Sequence, residues 1–115
     1  MIKIYGIPNC DSCRNARKWL EQHDVLHEFH DIRADGLELQ AIHRWANRVG
    51  WQKLLNTRSQ TWRQVAQEVR DNIDEGSALA LMFEQPTLIK RPVFEDRDLI
   101  IVGFDKDIYA EAIRR

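Results

Sequence analysis

Proline and glycine are scarce, at three and five of 115 residues, and no stretch is dominated by either. That excludes a collagen-like or linker-like chain. With 43% apolar residues and four Trp, disorder is excluded as well. An excess of one charge is also missing, because 18 acidic and 17 basic residues leave a formal net charge of −1. The chain as a whole offers no electrostatic footprint for DNA, RNA or an anionic membrane, so no direct nucleic-acid partner is expected. No apolar run approaches the length of a membrane span, and Met1 to Gly6 leads straight into a strand pattern without signal- or transit-peptide character. A cytoplasmic protein with no membrane partner is expected. Cysteine is rare too, with only two residues, Cys10 and Cys13. A reducing cytosol disfavours a structural disulfide, and 115 residues can bury about two-thirds of their surface around one core without one. Their spacing therefore carries the information.

What is present reads as an alternation of elements. Ile2, Ile4, Tyr5 and Ile7, broken by Gly6, Pro8 and Asn9, predict a buried strand and a turn. Cys13, Ala16, Trp19 and Leu20 recur at helical intervals with Asn9 as a candidate N-cap, and Val25–Arg33 reads as a second strand. Leu39, Ile42, Trp45, Ala46 and Val49 predict a helix stopped by Gly50. Trp62, Val65, Ala66, Val69 and Ile73 predict another, capped at Ser59 or Thr61, and a further short helix begins near Asp74. After Pro86, Leu88–Phe94, the turn Glu95–Asp98 and Leu99–Gly103 predict a hairpin, and Ile108, Tyr109, Ala112 and Ile113 a final amphipathic helix from Asp105. The order is β-α-β, a helical block at about 37–85, then β-β-α. A thioredoxin-like mixed α/β sheet with a helical insertion, in one domain over residues 1–115, is the expected fold.

Cys10 and Cys13 lie one helical turn apart at the start of the first helix, so both sulfurs reach the same face. Cα atoms at that spacing are about 5 Å apart, within the range of a reversible disulfide. A helix start presents unsatisfied N–H groups that favour thiolate over thiol. Cys10 is thus the expected nucleophile and Cys13 the residue that resolves a mixed disulfide. Asp11 opposes this by pushing the Cys10 acidity the wrong way, and Arg14 is a candidate to offset it. The competing reading is two buried cysteines acting as small hydrophobes. His23, His27, His30 and His43 show no ligand spacing to the cysteines, so no metal is expected. Lys90-Arg91-Pro92 is the second informative element. It reads either as an anion-holding Arg91 at a functional proline or as a strand-initiating proline flanked by solvated charges.

With both motifs in view, the chain resembles the ArsC/Spx/YffB family of thioredoxin-like proteins along nearly its whole length. The landmarks are Tyr5-Gly6-Ile7, Cys10 to Leu20, Leu54-Leu55-Asn56-Thr57-Arg58, Leu88 to Pro92 and Val102-Gly103-Phe104. The resemblance implies a catalytic or redox-sensing Cys10, Arg91 beside it and a cis Pro92 exposing backbone groups to an extended thiol partner. It also spans several activities. Arsenate reductases of this fold use further arginines, and Asn56 and Gly103 stand at those places here, which disfavours oxyanion reduction. The Cys-x-x-Cys followed by Arg14 looks like the redox switch of Spx regulators, which bind RNA polymerase. The region from Gly50 to Arg63 looks more like YffB proteins, for which the resemblance implies a glutathione-dependent thiol reductase. In that case glutathione is a co-substrate rather than a bound cofactor. Arg14, Arg58, Lys90 and Pro92 are then the expected substrate-binding residues, with Cys10, Cys13 and Arg91 catalytic.

Overall fold

A computed structural model describes residues 1–114 of the chain. The alternation of Ile2 and Ile4 becomes strand β1, Ile2–Gly6, with Ile4, Tyr5 and Gly6 buried. Helix α1 follows at Asp11–Gln22 and turns Cys13, Ala16 and Leu20 into the core. Its N-cap position is held by Cys10, in extended conformation, and not by Asn9. Strand β2 is His27–Asp31, shorter at both ends than the expected Val25–Arg33. The Val25 N–H is used in the preceding turn, bonded to the Leu20 carbonyl at 2.9 Å. At the far end Asp31 Oδ1 accepts the N–H groups of Arg33 at 2.9 Å and Ala34 at 3.0 Å, which bends the chain out of the sheet.

β1 pairs parallel with β2, from Ile2↔His27 to Gly6↔Asp31, and antiparallel with β3, Val93–Asp96. β3 pairs antiparallel with β4, Leu99–Val102, so the sheet runs β2-β1-β3-β4. This mixed order is the thioredoxin-like arrangement expected from the element sequence. The hairpin turn is tighter than the predicted Glu95–Asp98, because Glu95 and Asp96 pair with Ile100 and Leu99. Only Arg97 and Asp98 remain in the turn, with Arg97 at a φ of 59°.

By contacts the chain divides into two compact units, Met1–Asp35 with the chain from Arg91 onward, and Gly36–Lys90. In the first unit, Ile4, Ala16, Leu20, Phe94 and Tyr109 form a fully buried cluster. Tyr109 comes from a helix at the chain end, Lys106–Ile113, capped by Asp105, whose Oδ1 accepts the N–H groups of Asp107 and Ile108. Ile108, expected on its apolar face, is 51% exposed. The Tyr109 ring packs against Phe94 at 4.9 Å and edge-on against Phe104 at 5.0 Å. Its buried hydroxyl finds no hydrogen-bond partner among the described residues. Tyr109→Phe removes an unsatisfied polar group and little volume, so it is expected to raise stability by about 1 kcal/mol, read as a higher urea midpoint at unchanged slope.

The second unit is helical. It contains α2 at Leu39–Val49, α3 at Trp51–Leu54, α4 at Gln60–Arg63, α5 at Gln67–Asp71 and α6 at Glu75–Glu84. The chain-end helix is therefore α7. α2 ends where predicted, at Gly50, whose φ of 88° suits glycine best. α6 begins at a capping box in which Asp74 and Ser77 bond reciprocally. The single helix expected over Trp62–Ile73 is instead two, α4 and α5. Ala66 is extended, with ψ of 137°, and its carbonyl restarts the ladder by accepting Val69 and Arg70. Val65 is buried while Val69 is 40% exposed, so the apolar positions do not share one face. Leu88–Lys90 lies outside β3. Pro86–Leu88 forms a 3-10 turn, and Ile89 makes an isolated bridge with Leu55. Among the described residues no helix is long and apolar enough to cross a membrane.

Candidate active site

The exit of β1 delivers Cys10 to the mouth of α1, where its carbonyl accepts the Arg14 N–H at 2.9 Å and starts the helical ladder. Cys13 follows one turn later at 0% exposure, whereas Cys10 is half-buried. Both are thiols. Space for the Cys13 sulfur exists only because residue 6 is glycine. A Cβ there would overlap Cys13 Sγ and stand 3.4 Å from Cys13 Cβ.

The two thiols are driven in opposite directions. Partial burial on its own would raise the Cys10 pKa. Hydrogen bonds from the Cys13 backbone N–H, the Cys13 thiol and the Arg91 guanidinium, together with the Arg91 charge, hold it below the ordinary value of 9.0. Cys13 is raised from 9.0 to about 11, first by burial and then by its proton-donating contact with Cys10 and the charge there; the Ile7 backbone and Arg91 offset this only in part. Of the two, Cys10 is therefore the one that gives up its proton more readily and Cys13 the one that keeps it.

The sequence-based objection, Asp11, has a partner. Its carboxylate is ion-paired with Arg14, whose other terminal nitrogen donates to Asn9 Oδ1 at 3.1 Å. Arg14 is thus committed to the surface of the helix start. The Arg91–Pro92 peptide bond is cis, Pro92 is buried, and its carbonyl accepts the Gly103 N–H at 2.8 Å. Cys10, Cys13, Arg14, Arg91 and Pro92 all belong to the first unit. Arg58 and Lys90 belong to the second. Arg58 is exposed and its N–H donates to Asn56 Oδ1 at 3.1 Å, while the half-buried Lys90 donates its N–H to the Leu54 carbonyl at 2.9 Å. Gly6 is the site residue that sequence reasoning passed over. Its signal is a glycine ending a strand four residues before a cysteine.

Removing the Arg91 guanidinium takes away both a donor and a cation from the Cys10 sulfur. In Arg91→Ala the thiolate is less favoured, so the pH midpoint of Cys10 alkylation by iodoacetamide is expected to move up toward 9.0. Arg91→Lys keeps the charge without the planar fork and should fall between. A midpoint that stays where the wild type has it would show that Arg91 does not stabilise the thiolate.

Residues 5–112 match the ArsC family. The chain belongs to the ArsC family. An uncharacterised protein of Haemophilus influenzae is 41% identical over 112 residues, 97% of this chain and 98% of its own length. The global transcriptional regulator Spx of Streptococcus agalactiae serotype V is 34% identical over 111 residues, 93% of this chain and 79% of Spx. Among solved structures, a YffB protein superimposes with a TM-score of 0.94 at 40% identity, covering 97% of this chain and 98% of that one. An arsenate reductase (ArsC) related protein from Brucella melitensis gives a TM-score of 0.78 at 39% identity, over 99% and 95% of the two chains. Family membership and the thioredoxin-like fold thus agree with the sequence. These relatives carry different descriptions, so the activity rests on the cysteine site.

Proposed function

We propose that this ArsC-family protein is a thiol-disulfide oxidoreductase that reduces mixed disulfides at the expense of glutathione, with Cys10 as nucleophile. The observation that carries the reading is the opposed acidity of two touching thiols beside Arg91. In the first step the Cys10 thiolate attacks one sulfur of a disulfide R–S–S–R′, forming a Cys10–S–S–R bond and releasing R′S⁻. Arg91 and the N–H groups at the start of α1 hold the anionic sulfur before attack. In the second step Cys13 gives up its proton to the departing RS⁻ and its sulfur attacks Cys10 Sγ, forming the Cys10–Cys13 disulfide and releasing RSH. Two glutathione thiols then reduce that disulfide, leaving the dithiol protein and oxidised glutathione. Atoms and electrons balance with glutathione as the sole reductant.

Asn56 and Gly103 support this over arsenate reduction. The Asn56 side chain accepts the Arg58 N–H, and Gly103 supplies no side chain to hold an oxyanion. The similarity to Spx supports a second reading, in which oxidation of Cys10 and Cys13 alters a contact with RNA polymerase. That reading requires polymerase capture to differ between dithiol and disulfide forms without turnover. The deciding measurement for the enzyme is glutathione-dependent reduction of a glutathione mixed disulfide by wild type and by Cys10→Ser. Equal rates would remove the proposal.

A further inference from the structure

We propose that the groove beside Cys10, between Ile7-Pro8-Asn9 and Asp31-Arg33-Ala34, binds the zwitterionic γ-glutamyl end of glutathione, with Arg33 as its carboxylate anchor. The inference rests on the glutathione-dependent reading above and names the subsite that reading lacks.

Four observations carry it. The first is position. β1 and β2 are parallel and end in register at Gly6↔Asp31, and the Ile32 N–H donates to the Gly6 carbonyl at 2.9 Å, so both exit loops leave one edge side by side. Ligands of α/β sheets sit outside this carboxyl edge. The second is size. The cavity between the loops encloses about 490 Å³ and lies in the range of small-molecule sites. Its wall includes Asn9, the residue directly before Cys10, so a ligand held against Pro8 and Asn9 lies one residue along the chain from the nucleophile.

The third is charge. Asp31 uses Oδ1 to accept the Arg33 and Ala34 N–H groups, which keep its carboxyl below the usual range and leave Oδ2 to accept from a ligand. Arg33 is exposed on the same wall. A carboxylate and a guanidinium side by side match an α-amino acid head group, ammonium to Asp31 and carboxylate to Arg33, while Ile7, Pro8 and Ala34 cover the methylenes. The fourth is the commitment of Arg14 to Asp11 and Asn9, which leaves Arg33 as the cation of this groove.

The test uses S-methylglutathione, which cannot exchange with Cys10, followed by amide shifts in NMR spectra of the whole reduced protein. Shifts are expected to cluster at Ile7, Asn9, Ile32, Arg33 and Ala34. Arg33→Ala should weaken binding about fivefold, the upper end for one exposed ion pair, with Arg33→Lys intermediate and the dimethyl ester of the ligand as weak as Arg33→Ala. Three results overturn the proposal: shifts centred elsewhere, equal affinity in wild type and Arg33→Ala, or no shift at about 10 mM ligand, where a millimolar site is about nine-tenths filled. Groove binding without turnover keeps the subsite and removes the reductase. Glutathione-dependent turnover without groove shifts does the reverse.

Discussion

Cys10→Ser is expected to lower glutathione-dependent reduction of a mixed disulfide by at least about a thousandfold, to the level of the uncatalysed exchange. A serine hydroxyl stays protonated across the working pH range and forms no exchangeable bond with sulfur, so the first step has no nucleophile. Cys13 cannot take its place. It is at 0% exposure, and with a pKa raised to about 11 it is ionised in only about one molecule in ten thousand at pH 7. Cys13→Ser behaves differently, because the first step survives. The Cys10 adduct then accumulates and is visible by mass spectrometry, and turnover continues only as fast as external glutathione attacks it. Activity of Cys10→Ser above a tenth of wild type would move the chemistry away from this pair.

Much of this architecture is local and therefore legible in the sequence. The bounds of α2 follow from one apolar stripe and one glycine, and α6 starts where Asp74 and Ser77 can bond each other. The pairing of Cys10 with Cys13 is local as well, since a single turn of helix fixes it. Features set by distant contacts were not legible. The periodicity of Trp62 to Ile73 fits one helix, yet only Val65 is buried there, and the chain breaks at Ala66 to place it. Arg97 and Asp98 make the turn because the ladder of β3 and β4 continues through Asp96 and Leu99, a matter of register that turn composition does not reveal. Asp11 is a local case by contrast, since its partner Arg14, three residues on, is the candidate the sequence offers. The parallel pairing of β1 with β2 follows from the β-α-β order, but the groove where Asp31 and Arg33 leave the sheet is announced by no motif.

Gly6→Ala is expected to cost about 1–3 kcal/mol of stability in the wild type, and almost nothing, or even a gain, when Cys13 is also Ala. Gly6 sits within β1, outside the set of residues with positive φ, so alanine fits the backbone and would by itself reduce the freedom of the unfolded chain. The obstacle is one atom. The new methyl overlaps Cys13 Sγ, whereas its distances of 3.4 Å to Cys13 Cβ and 3.7 Å to Phe29 Cε1 are tolerable or ordinary contacts. A cysteine side chain has a single heavy-atom torsion, so the sulfur escapes only by leaving its rotamer or by moving α1 relative to β1. Removing that sulfur removes the conflict, and the double-mutant cycle should return a coupling on the order of 1–3 kcal/mol. The same displacement draws the Cys13 thiol away from Cys10, which loses one of the donors that favour its thiolate. Gly6→Ala should therefore raise the pH midpoint of Cys10 alkylation along with lowering stability. Equal destabilisation in both backgrounds would place the cost of the methyl elsewhere, and an unmoved midpoint would show that the Cys13 thiol does not tune Cys10.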